Sequence, residues 1–523
     1  MKDDKVPEEV ISRSKDRNED TMFVPLLDSD DENEVEEGLN KMQPAKKANP
    51  GDSESRKENV HNKLSIYPSR LRKQKLFTLA FIIFMIAIMS TAIGLMAPSK
   101  SQSILKDDTV SSIPPSLSPS KQPSMSYSLQ PSIDESPSFI NSTNVFKFHD
   151  SVKGLPRSKA GFAISISNDG TRLAVGAPHD SLISRSQNAG IVRIYDLLVT
   201  SENILGSWDL VKEIPGNQTN DKFGYSISFS SNGNIIAVGA PGHNNDTGSV
   251  RVYDLSSQWT LVHELFGSEK GDFFGSCVSM SADGFRVAVG SPRHKMRSGM
   301  VEVFEGLNST KQATVGIKLV GKSNEIFGAS VLLSHDGSQL FVGAPHQWQN
   351  QSGYVASYLH DSVDNRWTPE SANLYNNVTG DKFGQSLSLS ADGTRLAIGS
   401  PGTKDVLGST TIFSKNENGN WSTWGERANG THVDDQFGHS VALSSDGNFL
   451  IAGSLGRKNK NGDIVGSVCL FNLSKPEWHD ASSEILGNIN EDFGASVTIS
   501  RNGTWASASS PNQDLVRIYR AQI

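Results

Sequence analysis

The chain has 523 residues, of which 36% are hydrophobic, and its formal net charge is −8. This length is more than one small domain needs, so we expect several segments. The mildly acidic balance, without a long basic block, argues against a nucleic-acid-binding protein.

Residues 1–75 have no sustained apolar pattern. They include the acidic run DSDDENEVEE, from Asp28 to Glu37. A segment of this kind cannot bury enough apolar surface to offset the loss of chain entropy on folding. We therefore predict a disordered N-terminal tail.

Residues 76–97, LFTLAFIIFMIAIMSTAIGLMA, are 22 residues without a charge. As a helix they would rise about 33 Å, enough to cross a hydrocarbon core of about 30 Å. Four basic residues precede the stretch: Arg70, Arg72, Lys73 and Lys75. The positive-inside rule then places the N-terminus in the cytosol. Because the stretch lies far from the N-terminus, we predict an uncleaved type II signal anchor rather than a cleaved signal peptide.

Residues 98–143 are rich in serine and proline. This composition is typical of an extended stalk that carries O-linked glycans. Ten N-x-S/T sequons follow the apolar stretch and none precedes it, which agrees with the type II orientation because N-glycans are added only on the lumenal side. The candidate acceptors are Asn141, Asn217, Asn245, Asn308, Asn350, Asn377, Asn420, Asn429, Asn472 and Asn502.

Residues 144–523 contain seven similar repeats, each marked by three features. The first glycines, usually after Phe, are Gly161, Gly224, Gly275, Gly328, Gly384, Gly438 and Gly494. The second glycines, in GAP, GSP or a related sequence 15 residues later, are Gly176, Gly239, Gly290, Gly343, Gly399 and Gly453, with Ser509 in the seventh repeat. A GxVxVY-like motif starts at Gly190, Gly248, Gly299, Gly353, Gly408, Gly466 and Asp514. The fixed spacing indicates one structural unit joined by loops of variable length.

Each repeat predicts four antiparallel strands. An alternating segment such as YSISFS is followed by a turn such as SNG and then by the apolar run IIAVGAP, which together predict a hairpin. Two further strands complete the unit, and seven such units predict an all-β, seven-bladed β-propeller. A row of separate hairpins or a linear solenoid is the alternative. The seventh repeat has no room for a fourth strand, so we expect Asn144–Asp150 to pair with Leu515–Tyr519 and close the ring.

The FG, GAP and GxVxVY phrases resemble FG-GAP repeats, the units of the seven-bladed propeller of integrin α subunits. The resemblance implies this fold and a role in binding or adhesion. In that family the first hairpin often carries a calcium loop of the D-x-D-x-D-G type, but the turns here read SNDG, SSNG, SADG, SHDG, SADG, SSDG and SRNG. One carboxylate or amide cannot supply the several oxygen ligands of Ca²⁺, so we expect no calcium there and no other cofactor. The membrane anchor is at the opposite end from that of integrin α chains, so an integrin β partner is not expected.

In this topology the fourth-to-first and second-to-third connections open on one face. Acidic residues occur there three positions before the first glycine: Asp221, Asp272, Glu325, Asp381, Asp435 and Glu491, with Ser158 in the first repeat. Histidines follow the GAP or GSP prolines: His179, His243, His294 and His346. Such a set can bind a divalent metal, but a capping role for the acids and a loop role for the histidines is the better interpretation, so no metal site is predicted.

The longest loops on this face belong to repeats one and six. Function concentrates on loops that break the symmetry of a rigid scaffold. We therefore select as candidate ligand-binding residues His179, Asp180, Arg185, Arg457, Lys458 and Lys460. The basic members would suit an anionic glycan or an acidic protein.

No nucleophile elbow, zinc motif or phosphate loop is found in the sequence. Binding of a protein or glycan ligand at the cell surface or in the secretory pathway is the leading functional expectation. The alternatives are a lumenal carbohydrate-active enzyme, since the stem and anchor match the layout of Golgi enzymes, and a structural cell-surface protein. The two cysteines, Cys277 and Cys469, occupy strands of separate repeats and are expected to be free thiols.

The predicted orientation can be tested with full-length protein that carries an N-terminal epitope tag in sealed microsomes. We expect added protease to remove the tag while the repeats stay protected, and we expect peptide N-glycosidase treatment to increase the electrophoretic mobility of the protein. A protease-protected tag would contradict the type II orientation.

Overall fold

The computed structural model describes residues 139–140 and 146–521, apart from gaps at 182–186, 202, 204, 257, 308–313, 316–317, 347–351, 377, 403–406 and 479–482. These residues form seven antiparallel sheets of at least four strands each. The first strands of all seven sheets line one central channel. The protein is therefore an all-β, seven-bladed β-propeller, as the repeats predicted.

Two strands precede the first repeat: β1 (Phe139–Ile140) and β2 (Phe146–Lys153). Blade 1 contains β3 (Ala163–Ile166), β4 (Arg172–Ala177), β5 (Ile191–Leu198) and β6 (Ser207–Pro215). Blade 2 contains β7 (Ser226–Phe229), β8 (Ile235–Ala240), β9 (Ser249–Asp254) and β10 (Thr260–Phe266). Blade 3 contains β11 (Cys277–Met280), β12 (Arg286–Ser291), β13 (Met300–Glu305), β14 (Thr314–Val315) and β15 (Leu319–Val320).

Blade 4 contains β16 (Ser330–Leu333), β17 (Gln339–Ala344), β18 (Tyr354–Asp361) and β19 (Arg366–Pro369). Blade 5 contains β20 (Ser386–Leu389), β21 (Arg395–Ser400), β22 (Ser409–Lys415), β23 (Trp421–Thr423) and β24 (Ala428–Asn429). Blade 6 contains β25 (Phe437–Leu443), β26 (Phe449–Ser454), β27 (Ser467–Asn472) and β28 (Ser483–Leu486). Blade 7 contains β29 (Val497–Ile499), β30 (Trp505–Ser510) and β31 (Leu515–Ala521).

Short helical turns interrupt three of the second-to-third connections: α1 (His243–Asp246), α2 (His294–Arg297) and the 3₁₀ turn Pro511–Gln513. In blades 3 and 5 the fourth strand is divided into two short strands that both pair with the third strand. Within each blade the strands follow chain order from the channel outward, and blade 7 takes β2 as its outermost strand.

The second strand of each blade is the most deeply buried. In β8, every residue after Ile235 is buried, because both of its surfaces are covered by neighbouring blades. This explains why its sequence, IIAVGA, is almost wholly apolar instead of alternating. The hydrophobic clusters lie between adjacent blades; one of them joins Val250 and Val252 of blade 2 to Val287 and Val289 of blade 3.

The repeat glycines allow adjacent blades to approach at backbone distance. A Cβ atom on Gly239 would lie 2.0 Å from the carbonyl oxygen of Gly275 in the next blade. Gly275 itself has φ of 86°, which L-residues rarely adopt. Equivalent contacts of 2.0–2.1 Å recur for Gly176, Gly290, Gly343, Gly399 and Gly453. The two glycines are thus paired across each of these six blade boundaries.

The seam between blades 7 and 1 is built differently. Ser509 replaces the second glycine, and Asp514 replaces the glycine that begins the third motif. The Asp514 carboxylate accepts hydrogen bonds from the backbone amides of Arg157 (2.7 Å) and Ala160 (3.2 Å) and from the Ser158 hydroxyl (3.1 Å). The Asp514 side chain therefore links blade 7 to blade 1, whereas glycine backbone contacts link the blades at the other six boundaries.

The strand pairing that closes the ring is confirmed, although the strands are longer than predicted. β2 pairs antiparallel with β31, with Phe148 opposite Tyr519 and Val152 opposite Val516. A register irregularity between Phe148 and Asp150 shifts the later pairs by one residue. β2 continues to Lys153, which pairs with Leu515. In addition, β1 pairs with β28 on the outer edge of blade 6, which the sequence did not predict.

The predicted tail (1–75) and membrane span (76–97) lie outside the described residues, as does most of the predicted stalk (98–143). Within the part of the chain that is described, no helix has the length and apolar character needed to cross a bilayer.

Substitutions in the closing strand test the ring. Phe146 is 5% exposed, whereas Phe148 on the same strand is 49% exposed. We expect Phe146→Ala to lower the free energy of unfolding by about 3–5 kcal/mol through the cavity that it leaves. The matched Phe148→Ala change should cost about 1 kcal/mol or less. Equal losses in chemical denaturation would contradict a closing role for the buried face of β2.

Candidate functional site

The strand registers define two faces of the disc. In blade 2 the start of β7 pairs with the end of β8, Ser226 opposite Gly239, and the end of β8 pairs with the start of β9. The fourth-to-first and second-to-third connections therefore lie together, on what we call the loop face. The first-to-second hairpin turns lie on the opposite side, the turn face.

The central channel encloses a cavity of 380 Å³ lined by the first strands of all seven blades. Several of its hydroxyl groups link neighbouring blades: Ser226 Oγ donates to Gly275 O (2.8 Å) and Ser330 Oγ donates to Gly384 O (2.6 Å). Cys277 also lines the channel as a free thiol, and burial raises its pKa to about 11. The channel wall thus mainly holds the blades together.

The six acidic residues before the first glycines accept backbone hydrogen bonds, and all except the half-buried Glu325 are buried. Asp221 Oδ2 accepts from Gln218 N at 3.1 Å, and Asp272 Oδ2 accepts from Glu269 N at 3.2 Å. In blade 6, Asp435 Oδ2 accepts from the amides of Thr431 and His432, each at 2.8 Å. These carboxylates therefore cap the turn that leads into each first strand.

Two of the four loop histidines contact these acids. His243 Nδ1 lies 3.0 Å from Asp221 Oδ1, and His294 Nδ1 lies 3.0 Å from Asp272 Oδ2. His179 and His346 stand one position earlier in their loops, and His346 is exposed. The sequence pattern grouped the four histidines together. The one-residue offset separates His243 and His294 from His179 and His346.

The residues Glu269, Asp272 and His294 bring one ligand atom each within 4.8 Å of one another. Asp272 Oδ2 is already bonded to His294 Nδ1 and to Glu269 N, and Lys295 Nζ lies 3.9 Å from Glu269 Oε1. This triad can approach a metal ion, but its atoms also satisfy one another, and we assign it no metal.

Buried arginines cross three of the blades near the loop face. In blade 2, Arg251 Nε donates to Glu264 Oε1 at 2.7 Å, and Arg251 Nη2 lies 3.6 Å from Asp221 Oδ2. In blade 1, Arg193 bonds both Asp180 (2.9 Å) and Glu213 (2.8 Å). In blade 7, Arg517 bonds Glu491 at 2.8 Å. Each arginine neutralises carboxylates that burial would otherwise destabilise.

The structure divides the candidate residues of blade 1. Asp180 is 4% exposed and belongs to the internal Arg193 network, whereas His179 is half-buried beside it. Arg185 lies outside the described residues. The pattern of loop length did not reveal that Asp180 points inward.

The candidate residues of blade 6 surround the start of its second-to-third loop. Arg457 makes two hydrogen bonds to Glu484, Nε to Oε1 at 2.7 Å and Nη2 to Oε2 at 3.1 Å. Lys458 forms a backbone bridge with Ile464, and Lys460 at the loop tip is exposed. Arg457 is thus partly engaged, while Lys460 faces solvent.

A cavity of 380 Å³ lies beside Arg457, between the end of blade 5 and blade 6. Its inner wall includes Asp435, Phe437, Cys469, Phe471 and Glu484. Its outer residues, Glu426, Arg427 and Asn429, are exposed. Sequence reasoning did not identify Cys469 and Glu484 as residues of a candidate site. The signal that could have found them is the alignment of Cys469 with the third-strand arginines Arg193, Arg251 and Arg517.

Six sequon asparagines fall in the described residues, and all six are exposed: Asn217, Asn245, Asn420, Asn429, Asn472 and Asn502. The other four, Asn141, Asn308, Asn350 and Asn377, lie outside that part of the chain. Exposure is compatible with glycan attachment at each described position.

The seven hairpin turns satisfy their own polar groups. The turn Asp or Asn accepts a hydrogen bond from the serine two residues earlier in every blade, as Asp392 does from Ser390, and it also accepts the amide of Thr394 at 3.0 Å. Backbone bonds link successive turns, such as Asn168 N to Ser231 O and Arg501 N to Asn168 O. A turn-face depression of 660 Å³ is lined by such turns.

No protein-family model matches the chain.

The turn carboxylates should make stability depend on pH. Partial burial alone raises their pKa, but hydrogen bonds from serine and backbone amide groups lower it, so the pKa of Asp169, Asp336, Asp392 and Asp446 lies below the ordinary 3.8. A carboxyl pKa that is lowered by folding stabilises the fold above about pH 4, and this stability is lost as the pH falls through the folded-state value.

We expect Asp392→Ala to lower the free energy of unfolding by about 1–2 kcal/mol at neutral pH, because the turn loses its acceptor. Asp392→Asn keeps the acceptor, as Asn232 and Asn502 do in their blades, and should cost less while removing this turn's share of the acid sensitivity. Denaturant melts between pH 3 and pH 7 measure both effects. An unchanged pH profile in Asp392→Asn would contradict the assignment.

Proposed function

We propose that this chain is a type II single-pass membrane protein with an FG-GAP-like propeller outside the cytosol, at the cell surface or in the secretory pathway. In this proposal the propeller binds a protein or glycan ligand through its loop face. The seven-blade architecture and the spacing of the repeat motifs support the FG-GAP resemblance. The six exposed sequon residues support a position outside the cytosol.

The observation that carries the binding proposal is the departure from sevenfold symmetry on the loop face. There, blade 6 has a cavity with charged walls, and the exposed Lys460 lies on its second-to-third loop. The turn face instead repeats one hydrogen-bonded turn seven times. Ligand sites are concave and combine apolar walls with a few polar groups, and the blade 6 cavity has both.

The candidate residues then take separate roles. Lys458 and Lys460 contact an anionic part of the ligand at the rim, and Arg457 lies deeper, held by Glu484. Rim charges mainly steer association and set its salt dependence. Binding through this face is therefore expected to weaken as ionic strength rises.

Full-length protein in lipid nanodiscs should be applied to an array of sialylated, sulfated and neutral glycans. The same sample, with a photocrosslinker at position 460, should be exposed to intact cells to capture protein ligands. We expect a ligand whose affinity falls at least about tenfold in Lys458→Glu/Lys460→Glu. The matched turn-face variant Arg501→Glu should bind as the parent does. Equal losses in both variants, or no ligand in either assay, would overturn the proposal.

A further inference from the structure

Blade 2 shows how the fold holds a guanidinium group near the loop face. Arg251 on the third strand lies between Asp221, three residues before the first glycine, and Glu264, directly opposite on the fourth strand. Its guanidinium carbon also lies 5.4 Å from the centre of the Phe223 ring. Two carboxylates and one aromatic face therefore surround the group.

Blade 7 repeats part of this arrangement. Arg517, at the same strand position, bonds Glu491 and lies 4.9 Å from the centre of the Phe493 ring. Glu491 and Phe493 correspond to Asp221 and Phe223. The acid, the phenylalanine before the first glycine and the third-strand arginine thus form a recurring set.

Blade 6 keeps the surroundings but changes the central residue. Its acid is Asp435, its phenylalanine is Phe437, and Glu484 is the fourth-strand carboxylate. Cys469 pairs with Glu484 in the register in which Arg251 pairs with Glu264. Because cysteine is much shorter than arginine, the 380 Å³ cavity lies at the position that a guanidinium group takes in blades 1, 2 and 7, with Asp435, Phe437 and Glu484 in its wall.

Arg457 forms a hydrogen-bonded ion pair with only one of the two carboxylates, and it acts on Asp435 at longer range. It occupies the loop position of His243 and forms its ion pair with Glu484. Asp435, whose side chain is 1% exposed, has His432 Nδ1 at 3.7 Å from Oδ2, and the same nitrogen lies 2.9 Å from Arg457 Nη1. Three hydrogen bonds from Thr431 and the His432 amide also reach Oδ2.

The second oxygen of Asp435, Oδ1, is buried and accepts no hydrogen bond from any described residue. A buried carboxylate oxygen of this kind is costly unless a donor reaches it. The cavity therefore presents a buried acceptor, Asp435 Oδ1, that a cationic donor can satisfy.

Blades 3, 4 and 5 lack this combination in the residues described. At the arginine position blade 3 has Glu302, paired with Lys318, while blades 4 and 5 have Ala356 and Thr411. The acid of blade 3, Asp272, bonds His294. The acids of blades 4 and 5 have neutral partners: the Tyr354 hydroxyl bonds Glu325 at 2.8 Å, and the Asn376 amide bonds Asp381. Blade 6 differs because its acid and fourth-strand glutamate face a cavity.

We propose that the blade 6 cavity binds the guanidinium group of a ligand. The group would donate to Asp435 Oδ1 and lie against Phe437, as Arg251 does against Asp221 and Phe223. It would enter past Glu426 and Asn429. The proposal deepens the proposed function by naming a chemical group for the loop face, and it rests on that function for a macromolecular ligand. A free guanidino compound and an arginine side chain share this chemistry.

The test titrates full-length protein in nanodiscs with agmatine, the simplest guanidino alkylamine, by calorimetry and by thermal unfolding. Putrescine lacks the guanidinium group and serves as the control compound. We expect binding of agmatine at least about tenfold tighter than that of putrescine. A peptide, acetyl-Ala-Arg-Ala-amide, and its citrulline analogue separate the sources: preference for the arginine peptide favours a side chain, and preference for agmatine favours a free compound.

Two variants, each with a matched control, locate the site. Asp435→Asn should lower agmatine affinity at least about tenfold, whereas Asp221→Asn, the matched acid beside Arg251, should leave it unchanged. Cys469→Arg supplies the side chain that blade 2 contains, so it should abolish agmatine binding and raise the unfolding temperature. Cys469→Ser keeps the cavity and should bind as the parent does. If Cys469→Arg does not fold, Asp435→Asn and Cys469→Ser still decide the question.

Absence of agmatine binding in the parent protein, or binding that persists in Asp435→Asn, would overturn the inference. Because Asn429 lies at the cavity mouth, Asn429→Gln protein must give the same result, which excludes obstruction by a glycan. Agmatine binding without any captured macromolecular ligand supports the inference while contradicting the proposed function. A captured macromolecular ligand without agmatine binding supports the proposed function and contradicts the inference.

Discussion

Contact between glycine backbones across blade boundaries is the constraint on which the ring depends. At six boundaries the second glycine of one blade leaves no room for a Cβ beside the carbonyl of the first glycine in the next blade. The first glycines also need a positive φ to turn the chain into the innermost strand. The hairpin register sets the fixed 15-residue separation, since Gly224 N bonds Gly239 O within one blade, and the close approach between blades lets the first strands surround one channel.

This close approach also determines where charge is buried. The acid three residues before the first glycine is fixed beside the third strand of its own blade, so third-strand and loop side chains together decide how that acid is satisfied. An arginine in blade 2, a loop histidine in blade 3, a third-strand tyrosine hydroxyl in blade 4 and a loop side-chain amide in blade 5 each contact the acid. One repeating backbone therefore permits blade-specific chemistry at equivalent positions, which is how a symmetric scaffold acquires a distinct site.

The blade number, the hairpins and the closing pair were predictable because glycine spacing and apolar alternation report directly on backbone geometry. β1 and the extended β2 were not, because Phe139–Ile140 has no strand signal apart from its partner in blade 6. The loop face was predictable, whereas the inward orientation of Asp180 and the ion pair of Arg457 depend on partners distant in sequence. The blade 6 cavity lies beside Cys469, a short residue at an arginine position. The sequence shows this only when the third strand of blade 6 is aligned with the strands of Arg251 and Arg517.

The closing strand β2 lies N-terminal to all seven blades, so during synthesis it is made long before its partner strand β31. β2 leaves the ribosome before every blade, yet its partner β31 is made after all the other described strands. Until then an amphipathic strand and an open sheet edge coexist, and each is prone to pair with other chains. Completion of the ring is thus a late, long-range event, and the unpaired strand and sheet edge stay exposed until it occurs.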